Sequence, residues 1–321
     1  MEIDKRKKVL VTGANGFIGR NLCATLKEKG YIVRGAVRNN AHDVTGADDY
    51  IQVGDINEST DWTNALKNID FVIHLAGRAH VMDEQESDPA SVYHRVNVLG
   101  TECLAIACAR AGVHKFIYIS SIGVNGEFTD RKPFTENNIP NPVGAYAVSK
   151  WEAEQTLRKA AKNTGMEVVI LRPPLVYGPN APGNFSRLMH LIKKRIPLPL
   201  GKIKNLHSFL YLGNLVDAII TCVTHPLAAG ETFLVSDGQD ISTPDLIKML
   251  AFAMNKKAVL FSLHSCILKA LCRIAGKAEE LEKLTGTLLV DSSKIRNMLG
   301  WEPPFTIEEG IKATVRGMTL T

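Results

Sequence analysis

Short apolar runs recur along the chain, each closed by a turn of small or polar residues and followed by an amphipathic stretch. Lys7-Lys-Val-Leu-Val-Thr12, Tyr31 to Val37, Asp70-Phe-Val-Ile-His-Leu75, Lys115-Phe-Ile-Tyr-Ile-Ser-Ser121 and Met166 to Leu171 read as strands. The run ending at Ser121 is apolar and rich in β-branched and aromatic residues, as a parallel strand buried on both faces requires. Helices are predicted from Phe17 to Lys29, from Asp88 to Ala111 with Asp88 as cap and Pro89 in the first turn, and around Tyr146. Tyr50-Ile-Gln-Val-Gly-Asp55-Ile56 is a shorter strand. After Leu171 the prolines of Arg172-Pro-Pro-Leu-Val-Tyr-Gly-Pro179 forbid continuation in a sheet interior, so the chain is expected to leave the sheet there. Later segments include a helix from Asn214 to Thr224 and a strand, Thr232 to Ser236.

Two stretches carry candidate chemistry. Gly13-Ala-Asn-Gly16-Phe-Ile-Gly19 joins the first strand to the first helix and resembles the Rossmann phosphate-binding turn. Gly13 allows the turn, Gly16 lets the backbone approach a pyrophosphate, and Gly19 permits close packing of helix on strand. The second stretch is Tyr146-Ala-Val-Ser-Lys150, with Ser120 and Ser121 at the end of the preceding strand. Tyr146 and Lys150 stack on one helical face. The ammonium favours the phenolate and is expected to draw the tyrosine pKa down toward working pH. A neighbouring serine hydroxyl then bonds a substrate oxygen while the tyrosine moves its proton, which is a redox site for an alcohol beside a hydride acceptor.

Composition narrows the class without changing this reading. The 321 residues suffice for a main domain and a smaller cap. Net charge is +5, too mild and dispersed to argue for nucleic acid, and Lys5 to Lys8 read as a solvated lead into the first strand. The six cysteines form no C-x-x-C pair and sit mostly in apolar helical patterns, so reduced buried thiols are expected, with neither disulfide nor metal site. No signal peptide and no membrane span are expected, and the location implied is cytoplasmic.

Together with Gly54-Asp55-Ile56, His74-Leu-Ala-Gly77, Leu171 to Pro179 and Asp291-Ser-Ser-Lys294 with Leu299-Gly-Trp-Glu-Pro303, these motifs make the chain resemble the extended short-chain dehydrogenases/reductases. Within them it is most similar to the NAD(P)-dependent nucleotide-sugar epimerases, dehydratases and 4-reductases, over nearly the whole chain. The resemblance implies an α/β fold, a Rossmann doubly wound parallel sheet with a smaller α+β substrate-binding cap. Residues 1–172 would form the dinucleotide-binding domain, with some later segments returning to it, and 173–321 mainly the cap. It implies oxidoreduction at C4 of a nucleotide sugar, UDP-linked, by a 4-epimerase or a 4-reductase. The alternative is a non-enzymatic NAD(P)-sensing member of the same fold. Dehydration is disfavoured because Ile122-Gly123, not an Asp-Glu pair, follows the serine.

The resemblance assigns Ser121, Tyr146 and Lys150 to catalysis, choosing Ser121 over Ser120 by its distance of 25 residues from the tyrosine. Cofactor contacts fall on Gly13, Asn15, Gly16, Phe17, Ile18 and Gly19. Asp55 and Ile56 are placed at the adenine, and Leu75, Ala76 and Gly77 beside the cofactor. Asn97, Tyr146, Lys150 and Pro173 complete the set. Arg38 stands where an NAD-preferring chain carries an acidic residue, so NADP is favoured slightly over NAD. Substrate contacts are His80, Val81, Ser121, Tyr146, Asn184 and His207. His207 replaces an arginine against the diphosphate, for which Arg187, Lys202, Lys204 or Lys283 are possible substitutes. Lys193-Lys-Arg195 complements the carbonyl end of its helix. A homodimer is implied through the helices of Asn97 and Tyr146. The stretch 260–274 has an apolar face that packs on the cap or touches a membrane surface.

Overall fold

The computed structural model describes residues 6–39, 46–79, 88–130, 132–263, 268, 273, 274, 276 and 278–318. Its main sheet contains β1 (Lys8–Thr12), β2 (Ile32–Val37), β3 (Asp49–Gln52), β4 (Phe71–His74), β5 (Lys115–Ile119), β6 (Glu167–Arg172) and β9 (Thr232–Leu234). The seven strands lie in the order β3-β2-β1-β4-β5-β6-β9, and all pairings are parallel. Strand order reverses between β1 and β4, so the crevice for a ligand opens beyond their carboxyl ends.

The apolar runs alternate faces because strand side chains have a period of two. Val9, Val11, Ile73, Ile117 and Val169 join one core with α1 (Phe17–Glu28) and α6 (Leu212–Thr224). Leu10, Val72, Phe116, Val168 and Ile170 join the other with α3 (Gly100–Ala111) and α4 (Gly144–Thr164). Asp88 caps α2 (Pro89–Tyr93), its carboxylate accepting the Ser91 amide, with Pro89 in the first turn. The predicted single helix to Ala111 carries a π-helical segment, His94–Leu99, between α2 and α3. Gly112 and Gly165, at φ +73° and +72°, end α3 and α4 in the left-handed conformation.

Beyond β6 the chain builds a second sheet, β10-β8-β7, from β7 (Leu175–Tyr177), β8 (His207–Tyr211) and β10 (Asp240–Ile241). Its core gathers Phe185 and Met189 of α5 (Asn184–Lys193) and Leu246 and Leu250 of α7 (Thr243–Ala253). The segment after the helix Ala278–Thr285 runs between this sheet and the long loop before Tyr146. The Ser208 amide donates to the Leu288 carbonyl, and the Phe134 amide to the Leu289 carbonyl. That segment is thus bonded to β8 on one side and to the loop on the other. Among the described residues no helix is long and apolar enough to cross a membrane.

Candidate active site

The switch point between β1 and β4 brings two glycine turns together. Gly13 has φ +67°, and a Cβ there would lie 3.0 Å from the Ala76 amide nitrogen of the turn after β4. A Cβ on Gly19 would lie 2.2 Å from the Gly13 carbonyl oxygen, so the first turn of α1 presses on the glycine loop. Gly16 caps α1 without any side-chain hydrogen bond, leaving the leading amides, from Phe17 and Ile18 onward, to a ligand. Asn15 offers its carbonyl to Arg20 at 2.9 Å. Gly19→Ala should lower stability by about 1–3 kcal/mol, because the clash is with backbone that cannot rotate aside. Urea denaturation would show this, and an unchanged midpoint would mean that the turn yields freely.

The β4 turn is fixed from below. Asn97, buried in the π-helical segment, accepts the Arg78 amide (2.8 Å) and donates to the Arg78 carbonyl (3.0 Å) and the Ser149 hydroxyl (2.9 Å). A Cβ on Gly77 would meet Asn97 Oδ1 at 2.9 Å, so the turn must be small to pass this close. Asn97 therefore ties the loop after β4 to α4. His74 lies deeper, sharing hydrogen bonds with Thr12 Oγ1 (2.7 Å) and Thr101 Oγ1 (3.0 Å). Burial, with the nearby Lys150 charge, pushes its pKa from 6.5 down to about 3. Between those values the unfolded chain binds a proton that the folded chain refuses. Stability should fall as pH drops below 6.5, by a slope approaching about 1.4 kcal/mol per pH unit. His74→Gln should have a shallower acid slope in denaturation midpoints, and parallel profiles would refute this assignment.

The catalytic candidates converge above β5. Ser121 caps a 3-10 turn, Ile122–Val124, its hydroxyl oxygen accepting the Gly123 amide at 3.1 Å. Its own proton is directed to a second oxygen, that of Tyr146, a bond that favours the phenolate. Lys150 is buried, its Nζ donating to the Ile119 carbonyl at 2.8 Å and lying 4.7 Å from the centre of the Tyr118 ring. Burial lowers its pKa to about 8, against the opposing pull of Glu154. The expected depression of Tyr146 is not found: burial raises the phenol to about 12, and the Ser121 hydrogen bond only partly offsets it. Lys150 is not among the groups that shift it, because its ammonium is turned toward the β5 carbonyl.

A buried polar network lies under this group. Ser120 Oγ donates to Glu154 Oε1 at 2.6 Å, so its hydroxyl is engaged within this network. Arg172 grips both Glu154 oxygens at 2.8 and 2.6 Å and donates to Asn125 Oδ1 at 2.9 Å. Asn125 in turn donates to the Thr135 carbonyl at 2.9 Å. Pro173, next to Arg172, accepts the Ile122 amide at 2.9 Å. One carboxylate thus joins α4, the ends of β5 and β6, and the loop that starts at Ser121. Of these, Glu154 was visible in the sequence only as a residue one helical turn beyond Lys150.

The other expected contacts have the following surroundings. Arg38 pairs through Nε with Asp55 Oδ1 at 3.1 Å, so the cation expected for a 2′-phosphate stands beside a carboxylate. Ile56 is packed against the core, where a Cβ on Gly100 would strike it at 2.5 Å, and Leu75 is also partly buried. Asn184 is the exposed first residue of α5. His207 sits at the start of β8 against Phe209, with its pKa lowered by burial and its Nε2 buried without a partner. The ring is neutral, so it supplies no arginine-like charge. His80 and Val81 lie outside the described residues, as does most of 260–274. Leu260 itself bridges Leu198 in parallel, so no helix starts there. The four described cysteines, Cys23, Cys103, Cys108 and Cys222, are free thiols.

The model of the NAD dependent epimerase/dehydratase family matches residues 9–236. The chain belongs to that family. A UDP-glucose 4-epimerase of Vibrio cholerae is 46% identical over 97% of this chain and 95% of its own length. An N-acetyl-alpha-D-glucosaminyl-diphospho-ditrans,octacis-undecaprenol 4-epimerase of Escherichia coli O157:H7 is 27% identical over 96% of this chain and 94% of its own length. The crystal structure of a UDP-glucuronic acid 4-epimerase from Bacillus cereus in complex with NAD superposes with a TM-score of 0.78. That structure is 25% identical and covers 97% of this chain and 98% of its own. Family membership accounts for the glycine turns and for the Ser121, Tyr146 and Lys150 set meeting at one crevice of a Rossmann sheet.

Proposed function

We propose that the protein is an NAD-dependent 4-epimerase of a UDP-hexose, and the observation that carries this is the Ser121–Tyr146 hydrogen bond above buried Lys150. The residues present fit a dinucleotide: two glycine turns that leave no room for a Cβ and an uncapped helix start between them. Gly13, Gly16 and Gly77 would line its path, with Asp55 near the adenine. Held there, NAD would supply the hydride acceptor for C4. Ser121 would hydrogen-bond O4 through its hydroxyl, and Tyr146, once ionised, would take the O4 proton as the alcohol is oxidised. Lys150 keeps a buried ammonium beneath the site, at the Ile119 carbonyl, without itself shifting the phenol. The 4-keto sugar then turns over, and Tyr146 returns the proton to the oxygen on the opposite face.

NAD rather than NADP follows from Arg38, since the Asp55 carboxylate at 3.1 Å meets its charge and repels a further phosphate. This also removes the reason to prefer a reductase. The V. cholerae relative at 46% identity supports the epimerase and the uridine nucleotide. A division near residue 172 into cofactor and substrate halves belongs to the same reading, with the start of α5 at Asn184 suited to a diphosphate. So does a homodimer through α3 and α4, where Ile106 and Val148 are exposed.

The test is incubation of the purified protein with UDP-glucose, UDP-galactose and their 2-acetamido counterparts, with product analysis and absorbance at 340 nm. Interconversion of 4-epimers without net change in absorbance is expected, with NAD released on denaturation. Stoichiometric oxidation of NADPH by a UDP-4-keto sugar, without epimerisation, would replace the proposal with a 4-reductase.

A further inference from the structure

Helices α5 and α7 pack on one another in the smaller domain and end on the same side. Each is followed by a short extended segment. Leu198 and Leu260 bridge in parallel, the Leu198 amide donates to the Val259 carbonyl at 2.8 Å, and the Phe261 amide donates to the Leu198 carbonyl at 3.0 Å. Since the two segments run side by side in the same direction, the helix ends that feed them are neighbours. Residues 193–204 and 252–263 together hold seven lysines and arginines and no aspartate or glutamate.

The apolar residues on this edge are not buried by it. Phe252 is 78% exposed, Phe261 45%, Ile196 40% and Val259 37%. Lys193, Lys194, Arg195, Lys256 and Lys257 are exposed among them. Complementing the carbonyl ends of two helices explains a cation or two at each end. It does not explain aromatic and branched side chains left in water between them. Single exposed apolar residues are ordinary, but several on two adjoining segments whose charges are all of one sign mark a surface that meets a partner. Alternating cations and large apolar groups suit the headgroup layer of an anionic bilayer, where ammonium groups meet phosphates and rings enter the acyl boundary.

We propose that this edge docks the protein peripherally on an anionic lipid surface. It lies at the opposite end of α5 from Asn184, so docking leaves the start of that helix open. The inference does not depend on which hexose is the substrate. It is tested by co-sedimentation of the full-length protein with vesicles of phosphatidylethanolamine and phosphatidylglycerol, and with vesicles of phosphatidylcholine alone. Sedimentation is expected with the anionic vesicles only, and its loss is expected at about 0.5 M salt, where the screening length is a few ångströms.

A variant with Lys193, Lys194, Lys256 and Lys257 each changed to Glu should partition at least about 100-fold more weakly, at roughly fivefold per cation removed. Its turnover of a soluble nucleotide sugar should be unchanged. As a second measurement, Phe252→Trp should add a fluorescence component that shifts to shorter wavelength with anionic vesicles. Equal binding to phosphatidylcholine, absence of sedimentation, or wild-type sedimentation by the four-lysine variant would overturn the proposal. Retention on double-stranded DNA without any binding to vesicles would also overturn it.

Discussion

Tyr146→Phe is expected to lower kcat by about 10²- to 10⁴-fold, the range that a positioned general acid/base supplies. The ring stays, so its edge contact with Tyr93 at 6.2 Å and the packing of α4 are retained. Only the hydroxyl bonded to Ser121 is lost. KM for the nucleotide sugar and retention of NAD should change little, since neither relies on the phenolic proton. The pH dependence carries more information than the rate alone. With the phenol held at about 12 and Lys150 at about 8, the proton lost in the working range comes first from Lys150. Wild-type kcat is therefore expected to fall as pH rises through about 8, because the positive charge buried beneath the reacting oxygens is discharged. Activity within a factor of two of wild type in Tyr146→Phe would remove the tyrosine from the chemistry and with it the proposed function.

Arg172→Leu should cost about 3–5 kcal/mol, since it takes a buried carboxylate's ion-pair partner and leaves it only the charge of Lys150 one helical turn away. Glu154 is fully buried, and its two oxygens receive Arg172 and Ser120. The substitution also releases Asn125, which holds the start of the loop that Ser121 opens. Loss of stability should therefore be accompanied by a fall in kcat larger than any change in KM. The companion Glu154→Leu leaves the guanidinium without its carboxylate and with Asn125 Oδ1 as hydrogen-bond partner, whereas Arg172→Leu with Glu154→Leu removes both charges. A double variant more stable than either single one is expected, since replacing a buried pair with apolar groups is often neutral. Chemical denaturation of the four proteins measures the cycle. Additive losses would show that the pair does not couple, and that the network is held by its hydrogen bonds to Ser120 and Asn125 instead.

What the sequence determined by itself was everything carried by local pattern. Continuous apolar runs marked β1, β4, β5 and β6, because a strand covered on both faces has no polar side. Gly13, Gly16 and Gly19 marked the turn into α1, where a Cβ would approach backbone to 3.0, 3.1 and 2.2 Å respectively. Asp88 with Pro89 marked the start of α2, and Tyr146 with Lys150 one face of α4. Tertiary structure decided what depends on partners distant in the chain. The Arg38–Asp55 pair joins ends of different strands, so the charge of Arg38 looked free when only its neighbours were read. The direction of the Tyr146 shift depended on how deeply α4 lies against β5, and burial outweighed the lysine four residues away. Glu154, Arg172 and Asn125 were unremarkable in the sequence, because their role arises only where α4, β6 and a loop meet. A helical period is local and survives translation into structure, whereas the dielectric around a charge is set by the whole fold.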